Sequence, residues 1–189
     1  VLSRNLINLF LFFCIIKFKF SIYLMLTKEQ IAAEVAQSLE GKGLTIVDKD
    51  FERPWGGFYR IADSDLSKFL DIYYQGVELP EYARTMNASP KILVVAPEKR
   101  LSWQVHERRS EVWRVVKGPV AVYKSPTDEQ PDTPGIYNEN DVITLPQGTR
   151  HRLVGENDWG VIAEIWVHID PAHPTDENDI RRIQDDFGR

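Results

Sequence analysis

Four residues of this chain have the types and the spacing of a metal-binding set. Gln104 and His106 are two positions apart, which places both side chains on one face of a β-strand. Glu111 follows a short turn and can face them from the partner strand of a hairpin, and His151 comes later, behind the turn 146–148. Two imidazole nitrogens and two oxygen donors suit a divalent ion, for which we favour zinc, with manganese, iron or cobalt as alternatives.

A histidine is more often a structural residue than a ligand, so the other histidines need a separate interpretation. Of the four in the chain, His106 and His151 fall into register with a glutamine and a glutamate, which favours metal binding. His168 and His173 stand near the end of a predicted strand and beside a proline, and we interpret them as surface residues.

Short segments rich in β-forming residues surround the candidate ligands, and turns containing proline or glycine separate them. This length and spacing is typical of a β-sandwich or a closed antiparallel barrel. We predict strands over 91–96, 101–106, 111–116, 120–124, 141–145, 151–154 and 161–168.

The segment before these strands has helical periodicity. Thr27 and Gln30 match a capping box that opens an amphipathic helix of about four turns. A strand over 44–49 and a second helix over 64–75, capped by Ser64, are predicted to follow.

The two ends of the chain differ sharply in character. Residues 1–24 are strongly apolar, but Lys17 and Lys19 interrupt the run and no small-residue cleavage site follows it. We interpret this stretch as a non-native upstream extension before Met25, with a membrane anchor as the alternative. The charged tail, 171–189, is predicted to wrap the outside of the barrel.

Charge and cysteine content exclude several classes of partner. The net charge is −5 and basic residues form no run, so we do not expect nucleic-acid binding. A membrane partner is not expected either. The only cysteine, Cys14, cannot form an internal disulfide, which fits a reducing compartment and a cytoplasmic location.

The candidate ligands lie in two motifs that resemble those of the cupin superfamily. Glu111 and Gly118 have the spacing of the first motif, and 146–151 (Pro-Gln-Gly-Thr-Arg-His) fits the second. With the leader 53–56 (Arg-Pro-Trp-Gly) and the ending 185–189 (Asp-Asp-Phe-Gly-Arg), the chain is similar to the cupin domain of type II mannose-6-phosphate isomerases. The same domain occurs fused to mannose-1-phosphate guanylyltransferases.

This resemblance covers about 51–60 and 91–189 and implies a mainly β fold. We therefore expect a single cupin, a double-stranded β-helix or jelly-roll barrel, over 51–189. An N-terminal helix and strand over 25–50 precede it, so that one or two helices lie at its periphery. Cupins often dimerise, which makes a homodimer an expectation.

The chain departs from the family motifs at several positions. Arg108 stands where the family usually has a histidine, and Glu98 and Asn140 replace the glycines that open the two motifs. Asparagine tolerates left-handed backbone geometry, so Asn140 is a mild change, whereas Glu98 predicts a different turn. Gly155 replaces the asparagine that ends the second motif.

The resemblance implies a metal-dependent aldose–ketose isomerase that acts on a phosphorylated sugar, with mannose 6-phosphate and fructose 6-phosphate as the expected pair. The metal would polarise the carbonyl and a base would move the proton between C1 and C2. The alternatives are a non-catalytic cupin that binds metal or sugar phosphate, an isomerase for another substrate such as a heptose phosphate, and an iron oxygenase.

Roles for further charged residues follow from this expectation. Glu164 is either a buried acid, and then the candidate base together with Arg152 as a second catalytic residue, or an outward-facing charge; a metal-bound water is a rival base. Basic residues would anchor the phosphate unless they form a solvated rim. The candidates are Arg108, Arg114, Arg150 and Lys91, and Arg109 belongs to the same group of arginines.

Overall fold

The computed structural model describes residues 25–79, 88–170 and 172–188. The predicted extension or anchor over 1–24 lies outside the described residues. The helices are α1 (Lys28–Gly41) and α2 (Leu66–Tyr73), with a 3-10 turn at Asp63–Asp65. The strands are β1 (Ile46–Asp50), β2 (Gly56–Ile61), β3 (Ala88–Val95), β4 (Trp103–Val105), β5 (Arg109–Lys117), β6 (Val120–Ser125), β7 (Gly135–Tyr137), β8 (Val142–Leu145), β9 (Arg150–Gly155), β10 (Gly160–His168) and β11 (Arg181–Gln184).

The strands form two antiparallel sheets that pack face to face. One has the order β1-β2-β3-β10-β5-β8 and the other β11-β4-β9-β6-β7. Their inner faces share an apolar core that includes Trp113, Val115, Val122, Leu153 and Ile162. This mainly β architecture confirms the predicted cupin barrel with peripheral helices.

Both helices lie on the outer face of the six-stranded sheet. Phe69 of α2 is fully buried in a second apolar cluster with sheet residues such as Ile92 and Val94. The Tyr74 hydroxyl, just after α2, reaches the Val112 and Ala163 carbonyls of the adjacent strands β5 and β10 at 2.8 and 2.7 Å. The helices therefore support the strands that carry site residues on their other face.

The structure confirms the helix starting at Thr27 and corrects the cap of the second helix. The Thr27 capping box with Gln30 is present. The N-cap of α2 is Asp65, not Ser64, and its side chain makes no capping bond. Its carboxylate instead accepts from the backbone N–H of Thr45 at 2.7 Å, which joins the helix to the start of β1.

Each predicted strand is present, and three further strands were not predicted. β2 begins at a glycine pair, β7 has only three residues, and β11 is short and mostly polar, which explains why the sequence pattern did not indicate them. β2 requires glycine at position 56, because a Cβ there would lie 2.0 Å from the Val94 carbonyl oxygen. The tail does more than wrap the outside, since β11 extends a sheet by pairing with β4.

The two replaced motif glycines keep left-handed backbone geometry. Asn140 has φ of 75°, as expected for asparagine, and Glu98 has φ of 58°. The turn at Glu98 therefore places a non-glycine residue in a conformation that carries a steric penalty.

Candidate metal centre

The candidate ligands converge from both sheets. Gln104 on β4 lies opposite His151 on β9 in the smaller sheet, and His106 follows β4 directly. Glu111 comes from β5 of the larger sheet. His106 Nε2 lies 3.3 Å from Glu111 Oε1, and His151 Nε2 lies 3.4 Å from Glu111 Oε2. Ligand atoms from these three residues all fall within 4.8 Å of one another, and all three side chains are buried.

Hydrogen bonds orient both imidazoles for metal binding. The Nδ1–H of His106 donates to the Asp179 carbonyl, and that of His151 donates to the Thr149 carbonyl at 3.0 Å. The Nε2 lone pairs therefore face the carboxylate of Glu111. Within the described part of the chain, His151 Nε2 is buried without a hydrogen-bond partner. Two acceptors this close repel unless a cation lies between them, so the donor set fits a divalent ion.

Gln104 lies beside this cluster, with its amide oxygen turned away from it. Its amide nitrogen donates to His106 Nε2 at 3.3 Å, and its Oε1 accepts from the Ser102 hydroxyl at 2.7 Å. A half-turn of the amide would bring the oxygen to the cluster. The geometry thus brings His106, Glu111 and His151 together, with Gln104 as an adjacent fourth donor.

The protonation states favour ligation at neutral pH. Burial lowers the pKa of His106 to about 3 and also lowers that of His151, so both rings are neutral. Burial alone would raise the pKa of Glu111, but the charge of the Arg109 guanidinium and its hydrogen bond to Oε1 oppose it and hold this pKa well below its usual value. The cluster is therefore a carboxylate with two neutral imidazoles, the form that binds a divalent ion.

Arg109 contacts the cluster directly, which the sequence did not indicate. Its Nε donates to Glu111 Oε1 at 2.7 Å and its Nη2 to His106 Nε2 at 3.1 Å. The guanidinium also stacks on the Trp166 ring at 4.0 Å. Strand alternation was the available signal, because Arg109 lies two positions before Glu111 on the same face of β5.

A pocket of about 90 Å³ opens beside the cluster, which is smaller than the usual volume of about 300–1,000 Å³ for small-molecule sites. Lys91, Glu164 and Trp113 lie opposite one another on three adjacent strands and form a row across it. The other lining residues are Arg53, Trp55, Phe58, Leu93, Leu101, Ser102, Gln104, Arg109, Glu111, Trp166, Glu177, Ile180 and Arg182.

Glu164 is a buried acid in this pocket, not an outward-facing charge. Its Oε1 accepts from Trp113 Nε1 at 2.8 Å, and its Oε2 is buried without a hydrogen-bond partner among the described residues. Burial, reinforced by the negative charge of Glu111, raises the pKa of Glu164 to about 8. The side chain therefore carries a proton at neutral pH.

Of the predicted basic residues, two line the pocket, Arg109 and Lys91. The Lys91 Nζ lies 2.7 Å from Glu177 and 3.9 and 4.4 Å from the ring centroids of Phe58 and Trp166. Arg53 and Arg182, which the sequence did not single out, line the same pocket. The structure therefore keeps two of the predicted cations and adds two others.

The other predicted arginines are engaged elsewhere. Arg150 and Arg152 flank His151 on β9 and must point to the opposite face of the strand, and Arg114 points away from Glu111 on β5 for the same reason. Arg114 donates to Asn140 at 3.0 Å, Arg150 to Asp128 at 2.7 Å, Arg152 to the Gln184 carbonyl at 3.1 Å, and Arg108 to Asp176 at 3.1 Å. The structure does not bring these four residues to the pocket.

A two-sheet antiparallel barrel that holds a buried His-Glu-His cluster between its sheets defines this chain as a cupin. A family model described as "Mannose-6-phosphate isomerase C-terminal" matches residues 40–185. The chain belongs to this family.

Curated relatives include much longer proteins. A mannose-1-phosphate guanylyltransferase of Sinorhizobium fredii is 31% identical over 76% of this chain, and the alginate biosynthesis protein AlgA of Pseudomonas aeruginosa is 32% identical over 52% of it. The matches span only 22% and 19% of those relatives. A mimivirus protein, L612, is 24% identical over 66% of this chain and 78% of its own length.

Solved structures with similar folds include the capsular polysaccharide assembling protein CapF of Staphylococcus aureus, with a TM-score of 0.47 and 14% identity over 75% of this chain and 34% of CapF. A recombinant oxalate oxidase in complex with glycolate has a TM-score of 0.43 and 15% identity over 52% of this chain and 47% of the oxidase. Within residues 25–79, 88–170 and 172–188, no helix combines the length and apolar character needed to cross a membrane.

Proposed function

We propose that this protein is a metal-dependent aldose–ketose isomerase of a phosphorylated sugar, with mannose 6-phosphate and fructose 6-phosphate as the expected pair. The observation that carries the proposal is a buried Glu164 in the same pocket as Glu111 of the candidate metal cluster, with its Oε2 unpaired among the described residues. Family membership and the similarity to a mannose-1-phosphate guanylyltransferase support this substrate class.

His106, Glu111 and His151 would hold the ion, which when bound supplies a Lewis acid for the sugar carbonyl. Gln104 stands next to them as a further oxygen donor. Because both histidines are neutral and Glu111 is ionised, the site needs no proton release from these groups to accept the ion at neutral pH.

Glu164 is the proposed acid–base group. Isomerisation removes a proton from C2 of the aldose and delivers one to C1, which requires a group that both accepts and donates near neutral pH. The Trp113 N–H holds Oε1, while Oε2 is buried without a hydrogen-bond partner among the described residues and is therefore available to exchange the proton.

The pocket also has the character expected for a sugar phosphate. Lys91, Arg53 and Arg182 bring positive charge to a lining that includes the aromatic rings of Trp55 and Trp166. Guanidinium and ammonium groups bind phosphate, and aromatic faces pack against the C–H surface of a sugar ring.

The test combines zinc binding with turnover. We expect zinc-loaded protein to interconvert the two hexose phosphates, and Glu164→Gln to lose roughly a hundredfold or more of kcat while keeping its zinc. His106→Ala should lose both zinc and turnover. Arg114→Gln, on the outer face of β5, serves as the matched control. Activity of Glu164→Gln within a few-fold of the parent would contradict the assigned role.

A second candidate is a non-catalytic cupin that binds metal or sugar phosphate. The observation in its favour is that Arg109 already occupies Glu111 Oε1 and His106 Nε2. It predicts saturable binding of hexose or heptose phosphates with no conversion by the zinc-loaded protein, and a substrate screen that includes both sugars separates the candidates.

A further inference from the structure

We infer that the Arg109 guanidinium is a built-in competitor of the metal ion: the metal enters only when Arg109 releases His106 and Glu111. This inference rests on the proposed metal site and adds a means by which the chain controls its occupancy.

The argument begins at His106. Its Nδ1–H is committed to the Asp179 carbonyl, so Nε2 holds the only lone pair in the ring plane. Arg109 Nη2 donates to that atom at 3.1 Å. The Gln104 amide nitrogen also donates to it, at 3.3 Å, and would be withdrawn by the half-turn that brings the amide oxygen to the cluster. A single lone pair cannot accept the hydrogen bond from Arg109 and also bind a metal at about 2.0–2.1 Å.

Glu111 leads to the same conclusion. Arg109 Nε lies 2.7 Å from Glu111 Oε1, and both side chains are almost fully buried. This position supplies a positive charge where a metal ion would supply one. A divalent ion close to the guanidinium would be repelled by it in a site that water screens poorly.

The C-terminal segment holds Arg109 in this position. Arg109 Nη1 donates to the Thr175 hydroxyl at 3.2 Å and to the Asp179 carbonyl at 3.1 Å. The Asp179 carboxylate in turn accepts from the backbone N–H groups of Glu107 and Arg108. The segment that orients His106 for the metal therefore also positions the group that competes with it.

The experiment measures zinc affinity at pH 8 by competition with a chelating indicator, for the parent protein, Arg109→Gln and the control Arg114→Gln. Arg114 lies on the same strand with its side chain on the opposite face. We expect Arg109→Gln to bind zinc at least about tenfold more tightly, because a charge-assisted hydrogen bond no longer has to break. Arg114→Gln should stay within about twofold of the parent.

A second measurement does not depend on the variant folding well. In the parent protein, the NMR signal of the Arg109 Nε–H group should shift on zinc saturation, since its bond to Glu111 Oε1 is lost. An unchanged signal, or equal or weaker zinc binding by Arg109→Gln, overturns the inference and leaves Arg109 as a positioning residue for Glu111.

The remaining outcomes separate this inference from the proposed function. If Arg109→Gln binds zinc more tightly but neither the parent nor a variant converts a sugar phosphate, the competition is supported and the proposed isomerase function is contradicted. Zinc binding by Arg109→Gln, but not by the parent protein or Arg114→Gln, also supports the competition. If no protein binds zinc, the metal site and the competition both fail.

Discussion

Replacing Glu164 with glutamine should make the protein more resistant to alkaline pH. Burial in the folded protein raises the pKa of Glu164 to about 8, whereas the pKa of an exposed glutamate is about 4.5. Between these values the unfolded chain has released the proton and the folded chain has not. The free energy of unfolding of the parent therefore falls as pH rises through this window, and the stabilisation is fully present only below it.

The magnitude follows from the width of the window. Each pH unit contributes about 1.4 kcal/mol, so the interval from 4.5 to about 8 corresponds to up to roughly 5 kcal/mol. Glutamine has nearly the same shape, keeps an oxygen for the Trp113 N–H, and does not titrate. We expect Glu164→Gln to unfold with a free energy close to that of the parent near pH 5 and several kcal/mol higher at pH 8.5.

Urea unfolding monitored by tryptophan fluorescence measures this difference at pH 5, 6.5 and 8.5. A chelator is included, because a bound cation near Glu111 would lower the pKa of Glu164. Glu34→Gln, an exposed position on α1, is the matched control. If the stability difference between Glu164→Gln and the parent is the same at all three pH values, Glu164 is not held in the protonated form and the reasoning fails.

Two further substitutions test contacts outside the candidate metal centre through their effect on the free energy of unfolding. Glu98→Gly should stabilise the protein by about 1 kcal/mol, because glycine adopts the φ of 58° without a Cβ clash; Glu98→Ala keeps the Cβ, and an equal gain from it would refute this explanation. Tyr74→Phe should destabilise it by about 1–3 kcal/mol, because the Val112 and Ala163 carbonyls lose their buried donor. An unchanged midpoint in urea for Tyr74→Phe would show that these carbonyls find another partner.

Local patterns were enough to predict the frame of the site. Alternation along a strand places Gln104 and His106 together, and the turn before Glu111 returns the chain towards them; both follow from backbone geometry over a few residues. The capping box at Thr27 is equally local, which is why the helix start was correct. The same alternation, applied to Arg150 and Arg152, would have placed them on the opposite face from His151.

The properties that make the site reactive come from contacts between distant parts of the chain. The position of Glu164 on its strand shows which face its side chain is on, but not that it is buried. Enclosure between the two sheets removes water from the carboxyl group and raises its pKa. Arg109 becomes a competitor for the ion because the tail returns Thr175 and Asp179 to its guanidinium. Burial and charge pairing depend on distances in space that a linear pattern does not encode, so spacing could indicate the ligands but not their electrostatic environment.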